Sequence, residues 1–112
     1  MSPRIQALLW ITQRVTAMVL VPCVAIHLVT FIYAVQSGLS AAEILARTQG
    51  NPVWAAFYAL FVTAVALHAL IGLRGILSEW FRWRGWSLEV FAGLAAIALA
   101  TYGWRAVWAV YT

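Results

Sequence analysis

Three apolar stretches, each long enough to cross a lipid bilayer, restrict the fold of this chain more than any other feature. They run from about Val15 to Val35, from Val53 to Leu77 and from about Leu88 to Tyr111. A helix needs about 20 apolar residues to span the hydrocarbon core, and the backbone polar groups inside that core must be paired within the protein. The sequence therefore predicts an all-α integral membrane protein with three transmembrane helices.

The composition supports a single membrane domain over residues 1–112. Hydrophobic residues make up 65% of the chain and charged residues only 9%, whereas about 25% of the residues in soluble domains are charged. We expect the three membrane helices at about 8–36, 52–79 and 87–111.

Capping signals separate these helices from one another. Asn51 and Pro52 form an N-cap and a first-turn proline at the start of the second span. The run from Ser40 to Glu43 has the pattern of a capping box, which predicts a short interfacial helix over 40–47. Ser87 is the predicted cap of the third span.

The arginines predict the orientation of the chain. Arg4 and Arg14 precede the first span, Arg82 and Arg84 lie in the loop after the second, and the first loop has only Arg47. Because basic residues concentrate in cytoplasmic segments, this pattern predicts a cytoplasmic N-terminus and a C-terminus outside. The arginines are scattered, so we expect membrane lipids and no nucleic acid as partners of these charges.

His68 is the first candidate functional residue, because an ionisable side chain inside an apolar span is expensive to bury. A neutral imidazole is a common ligand for haem iron. Gly72, one turn away, is expected to leave room for a flat ring, and Arg74 can neutralise a carboxylate. The structural alternative is a histidine that hydrogen-bonds to a neighbouring helix.

Three further candidates each have a structural alternative as well. His27 lies nearer the outer face than His68, so either each histidine binds a different haem with help from a partner chain, or only His68 binds one; His27 is otherwise a packing residue. Arg14 is either an orientation charge or a guanidinium for haem propionates or a quinone carbonyl. Trp80, which follows Glu79, either walls a quinone pocket or belongs to the interfacial aromatic belt.

The order and spacing of these motifs resemble the small membrane-anchor subunits of succinate dehydrogenase and fumarate reductase (respiratory complex II). The first helix of such anchors carries Arg-x-Thr-Gly/Ala, matched by the run from Arg14 to Ala17. The second carries His-x-x-x-Gly-(Leu/Ile)-Arg, matched by the run from His68 to Arg74, followed by an acidic and an aromatic residue, here Glu79 and Trp80. The resemblance covers nearly the whole chain and is closer to the small second hydrophobic anchor.

The resemblance implies a role for each candidate residue. His68 would be an axial ligand of haem b, with the opposite ligand supplied by a second anchor subunit. Arg14 would contact haem propionates or line the quinone site, and Arg74 would also reach a propionate. Glu79 and Trp80 stand where one of the two anchors usually has an Asp-Tyr pair that borders the quinone. In members that hold two haems, a first-helix histidine such as His27 is the second ligand.

The resemblance also implies a function for the whole chain. It would be a non-catalytic subunit that docks an iron–sulfur and a flavoprotein subunit and passes electrons between them and a membrane quinone, in electron transport and the tricarboxylic acid cycle. We expect it in the inner (cytoplasmic) membrane of a bacterium rather than in a mitochondrion. The alternatives are a haem-free structural anchor of the same complex and an unrelated small membrane accessory subunit.

Overall fold

A central helix flanked by two others forms the body of the protein. The computed structural model describes residues 2–112, and this part contains no β-strand. Its helices are α1 (Pro3–Gln36), α2 (Ala41–Thr48), α3 (Pro52–Trp80) and α4 (Trp86–Tyr111). α3 packs against both α1 and α4, and these three helices are long and apolar enough to cross a membrane. The predicted all-α fold with three spans is confirmed.

The helix starts follow the capping signals in the first two loops. Asn51 Oδ1 accepts hydrogen bonds from the backbone N–H groups of Val53 and Trp54 at 3.0 and 3.3 Å. Ser40 and Glu43 form both halves of a capping box at the start of α2. The predicted short helix after the first span and the predicted start of α3 are therefore confirmed.

α1 begins five residues earlier than the sequence indicated, at Pro3 rather than near residue 8. The Ser2 hydroxyl accepts a hydrogen bond from the backbone N–H of Ile5 at 3.2 Å. A serine cap followed by a proline at the first helical position is a strong start signal. It extends the helix well before the apolar stretch.

Ser87 does not cap α4, so that prediction is wrong. The capping position belongs to Gly85, which has a φ of 99° and makes no side-chain cap. The Ser87 hydroxyl instead accepts a hydrogen bond from the Trp83 indole N–H at 2.8 Å. The Ser87 hydroxyl therefore contacts Trp83, which lies between α3 and α4, and does not contact a backbone N–H group at the start of α4.

The three long helices alternate in direction within a bundle of 49 × 24 × 23 Å. One end, called the arginine-rich end below, combines the start of α1, the end of α3, the 81–85 turn and the start of α4. The opposite end, called the α2 end below, holds α2 and the C-terminus of α4. The backbone N–H of Gly50 there donates to the carbonyl of Tyr111 at 2.8 Å.

Small side chains let the helices approach closely. Ala64 and Ala66 on α3 and Ala92 on α4 are buried. At Gly103 of α4, a Cβ atom would lie 2.5 Å from Cγ1 of Val62 on α3. Membrane helices associate through small residues of this kind, because lipid offers no hydrophobic force between them. Most large apolar side chains consequently face outward.

Candidate functional site

His68 lies on α3 with its ring held against α1. Its Nδ1 is 3.1 Å from Oγ1 of Thr16, whose side chain is buried. The same hydroxyl lies 2.8 Å from the backbone carbonyl oxygen of Thr12 and 3.1 Å from that of Gln13. His68 therefore contacts a neighbouring helix, as its structural alternative predicts. This contact occupies only one of the two ring nitrogens.

The second ring nitrogen of His68, Nε2, is available for a ligand. Within residues 2–112 it makes no hydrogen bond, and Gln13 Oε1 is the one buried side-chain nitrogen or oxygen atom left without a partner. Nε2 therefore reaches the surface of the chain, on a ring that is itself half-buried. Such a nitrogen can bind a metal ion that lies outside the chain's own helices.

His27 lies on α1 in the half of the bundle nearer the α2 end. Its ring meets the edges of Tyr58 and Phe61 on α3, with ring centroids 5.7 and 5.5 Å apart. Phe61 is seven residues from His68, which is about 10 Å along a helix. Two imidazoles on one metal ion each bind at about 2 Å, so the two histidines do not share an ion.

A polar cleft of about 630 Å³ opens at the arginine-rich end, between α1, α3 and the start of α4. Its wall includes Ile71, one turn from His68, and the Trp10 ring. The polar residues that line it are Gln6, Gln13, Arg74, Ser78, Glu79, Arg84 and Glu89. Ligand pockets commonly measure about 300–1,000 Å³, so the cleft can hold a small ring compound with polar substituents.

Arg74 and Glu89 form a two-pronged ion pair across the cleft wall, between α3 and α4. Nε and Nη2 of Arg74 donate to Oε2 and Oε1 of Glu89, each at 2.7 Å. The Arg74 side chain is 16% exposed and that of Glu89 51% exposed. Paired N–H donors on one carboxylate fix geometry as well as adding energy. Arg74 thus neutralises a carboxylate of its own chain, and its contact with a haem propionate stays a prediction.

The remaining predicted residues lie at different distances from the cleft. Glu79 lines it, whereas Trp80 is 79% exposed and lies outside the lining. The guanidinium carbon of Arg14 lies 4.8 Å from the centre of the Trp10 ring, so its charge rests on a residue of the cleft wall. Glu79 and Arg74 therefore line the same cleft, and Arg14 contacts Trp10 in its wall.

Gly72 of α3 faces the side chain of Gln13 on α1. A Cβ atom on Gly72 would lie 3.3 Å from Nε2 of Gln13. The Gln13 amide is the end of a flexible side chain, so the expected room for a flat ring at Gly72 stays a prediction. Its other amide atom, Oε1, is the unpartnered buried oxygen noted above.

Residues 1–104 match the family described as the succinate dehydrogenase/fumarate reductase transmembrane subunit. The chain belongs to this family. It is 33% identical over 75 residues to a protein named succinate dehydrogenase hydrophobic membrane anchor subunit from Archaeoglobus fulgidus. That alignment covers 67% of this chain and 63% of the relative, so it spans less than two thirds of the relative's length. No solved structure matches the chain.

Membership in this family of transmembrane subunits has two consequences. The resemblance drawn from the motifs is confirmed, and the alternative of an unrelated small membrane protein is excluded. The three apolar helices make this transmembrane subunit a multi-pass membrane protein.

Sequence reasoning gave no role to three residues that the structure of this transmembrane subunit brings into the site, namely Thr16, Gln13 and Glu89. Gln13 and Thr16 are three residues apart and so share the helix face that meets α3. Glu89 lies three residues inside α4, and Arg74 six residues inside the end of α3. Opposite charges that both lie within two turns of the 81–85 turn, on the two helices it joins, were the signal that could have paired Arg74 with Glu89.

Proposed function

We propose that this chain is the haem b-binding membrane anchor of a succinate:quinone oxidoreductase. It docks an iron–sulfur and a flavoprotein subunit and passes electrons between them and a membrane quinone. Family membership supports the anchor role. One observation carries the haem assignment: α1 holds Nδ1 of His68 while Nε2 reaches the surface of the chain.

The placement of His68 favours a haem shared with a second anchor subunit. His68 would hold the haem iron from this chain, and a second imidazole would be needed to complete a bis-histidine haem b. Besides His68 the chain has one other histidine, His27, and its exposed side chain lies at another depth of the bundle, so the opposite ligand would come from the partner. Arg14 would supply positive charge for the propionates. Arg74 would do so only by exchanging its partner Glu89 for a propionate. When bound, haem b would supply one-electron transfer.

The polar cleft is the proposed quinone site. Quinones accept two electrons and two protons to become quinols when succinate is oxidised to fumarate, and the reverse holds when fumarate is reduced. The Glu79 carboxylate can hold a proton at the ring, and the Ser78 hydroxyl and the Gln13 amide can hydrogen-bond the ring oxygens. Trp10 gives the wall an aromatic face.

The orientation follows from the charges. Arg4, Arg82 and Arg84 lie at the arginine-rich end, which the positive-inside tendency places in the cytoplasm. The soluble subunits would dock on that side of the inner (cytoplasmic) membrane of a bacterium, next to the cleft. Electrons then travel a short path from the last iron–sulfur cluster to the quinone.

The test is a redox difference spectrum of the purified complex, with the haem-to-flavin ratio. We expect a reduced b-type band in the wild type and its loss in His68→Ala, with flavin and iron–sulfur content retained. A wild-type complex that holds flavin and iron but shows no b-type band would overturn the haem assignment and leave a haem-free anchor.

His27→Phe is the matched control for that test. Phenylalanine can keep the edge contacts with Tyr58 and Phe61, so we expect an unchanged haem-to-flavin ratio. A ratio reduced by half would instead make His27 the ligand of a second haem.

A further inference from the structure

The Thr16 hydroxyl has one proton to donate and more than one neighbour to receive it. Its oxygen lies 2.8 Å from the Thr12 carbonyl and 3.1 Å from the Gln13 carbonyl, both on its own helix. A hydroxyl has one O–H donor and two acceptor lone pairs. Once the proton is given to the shorter contact, Thr16 can only accept from the third neighbour, Nδ1 of His68, at 3.1 Å.

A neutral imidazole carries one proton, on either Nδ1 or Nε2. The contact with Thr16 is a hydrogen bond only if Nδ1 has the proton. In the other tautomer, a lone pair of Nδ1 would face a lone pair of the hydroxyl. That tautomer would also put a proton on Nε2, where it blocks metal binding.

Burial keeps this arrangement from being replaced by water. Thr16 is 6% exposed, and its side chain lies at the contact between α1 and α3. The membrane around the helices offers no competing donor for the hydroxyl.

We propose that Thr16 is a positioning residue that holds His68 in the Nδ1-protonated tautomer, with Nε2 free for the iron. This inference rests on the proposed haem function. A histidine ligand that donates its other N–H to a hydrogen-bond acceptor is a more basic ligand. Loss of the acceptor typically changes metal affinity about 10–100-fold. A more basic ligand favours ferric over ferrous iron, so Thr16 lowers the midpoint potential of the haem.

The experiment compares three variants of the assembled complex in membranes by potentiometric titration of the haem. Thr16→Val removes the hydroxyl and keeps the shape, whereas Thr16→Ser keeps the hydroxyl. Thr63→Val is the matched control, because the Thr63 hydroxyl donates to the Ala59 carbonyl of its own helix at 2.8 Å. We expect Thr16→Val to raise the midpoint potential by roughly 59 mV, a tenfold change for one electron, with the other two variants unchanged.

Each outcome decides the proposal. A wild-type potential in Thr16→Val, or an equal shift in Thr63→Val, overturns the role of Thr16 and leaves the haem assignment intact. If Thr16→Val loses the haem, retention in Thr16→Ser supports the hydroxyl, and loss in both variants overturns it. If the wild-type complex has no haem, the proposed function fails separately. The ¹⁵N shifts of His68 in the full chain then still test the tautomer: the proposal requires a protonated Nδ1 that Thr16→Val releases.

Discussion

The two ends of the bundle hold their helices together by different means. At the arginine-rich end, an ion pair joins α3 to α4, and a hydrogen bond joins His68, near the middle of α3, to α1. Towards the α2 end, the His27 ring meets the edges of Tyr58 and Phe61, and Gly103 lets α4 approach Val62. The hydrogen bonds that reach α4 there end on backbone carbonyl oxygens, such as that from Gly50 to Tyr111. Ion pairs and hydrogen bonds fix the direction of a side chain, whereas packing fixes mainly the distance between helices. The polar cleft lies at the end where side-chain directions are fixed.

The ion pair gives the largest expected effect in this comparison. Glu89→Leu leaves the charge of Arg74, 16% exposed, without its partner, and we expect the free energy of unfolding to fall by about 1.5–3 kcal/mol. Denaturant unfolding of the complex in detergent measures it. Glu79→Leu is the control, with an expected change below about 0.5 kcal/mol.

The double variant Arg74→Leu/Glu89→Leu tests the reason for that loss. Replacing both charges by apolar groups avoids an unpaired charge, so stability should return towards that of the wild type. A double variant as unstable as Glu89→Leu would show that the pair does not act through its charges.

Gly103→Ala tests the packing at the other end. The added Cβ would lie 2.5 Å from Val62 Cγ1, and overpacking of this kind costs about 1–3 kcal/mol of unfolding free energy. Gly93→Ala on the same helix is the control, because a Cβ there has no neighbour within 4 Å and the lost glycine flexibility stabilises by about 0.5–1 kcal/mol. Thermal unfolding separates the two variants, and an equal change in both would refute the close contact.

The smallest expected effect concerns the cleft itself. Glu79→Leu should raise the KM for quinone about tenfold, which corresponds to one hydrogen bond of about 1.4 kcal/mol. Trp80→Ala should raise it less, because Trp80 lies outside the lining, and Trp86→Ala, equally exposed at 79%, is the control. Quinone reductase activity is measured beside activity with a soluble acceptor. If Trp80→Ala raised the KM more than Glu79→Leu, Trp80 would belong to the quinone pocket.

The spans and most helix starts could be predicted because their signals are local. Apolar length sets the spans, and the caps at Ser40 and Asn51 act within one turn. Ser87 shows the limit of this reasoning, since its hydroxyl bonds Trp83 rather than the helix start.

The site was only partly predictable, because its contacts depend on how each helix is rotated about its axis. The motifs singled out His68 and Arg74, and each of these side chains contacts a neighbouring helix in the structure. The positions of Thr16 beside His68, Glu89 beside Arg74 and Gln13 over Gly72 follow from the register between helices. No pattern within a single helix contains that register.

The early start of α1 has a consequence for proton movement. Residues 3–14 precede the apolar stretch and add about 18 Å of helix, and Gln6, Trp10 and Gln13 in this extension form one wall of the cleft. In the membrane placement proposed above, that wall stands at the level of the lipid headgroups. A quinone there would keep its tail in the hydrocarbon while its ring exchanges protons with water on the same side. Its reduction would therefore be electrically silent, with no charge carried across the bilayer.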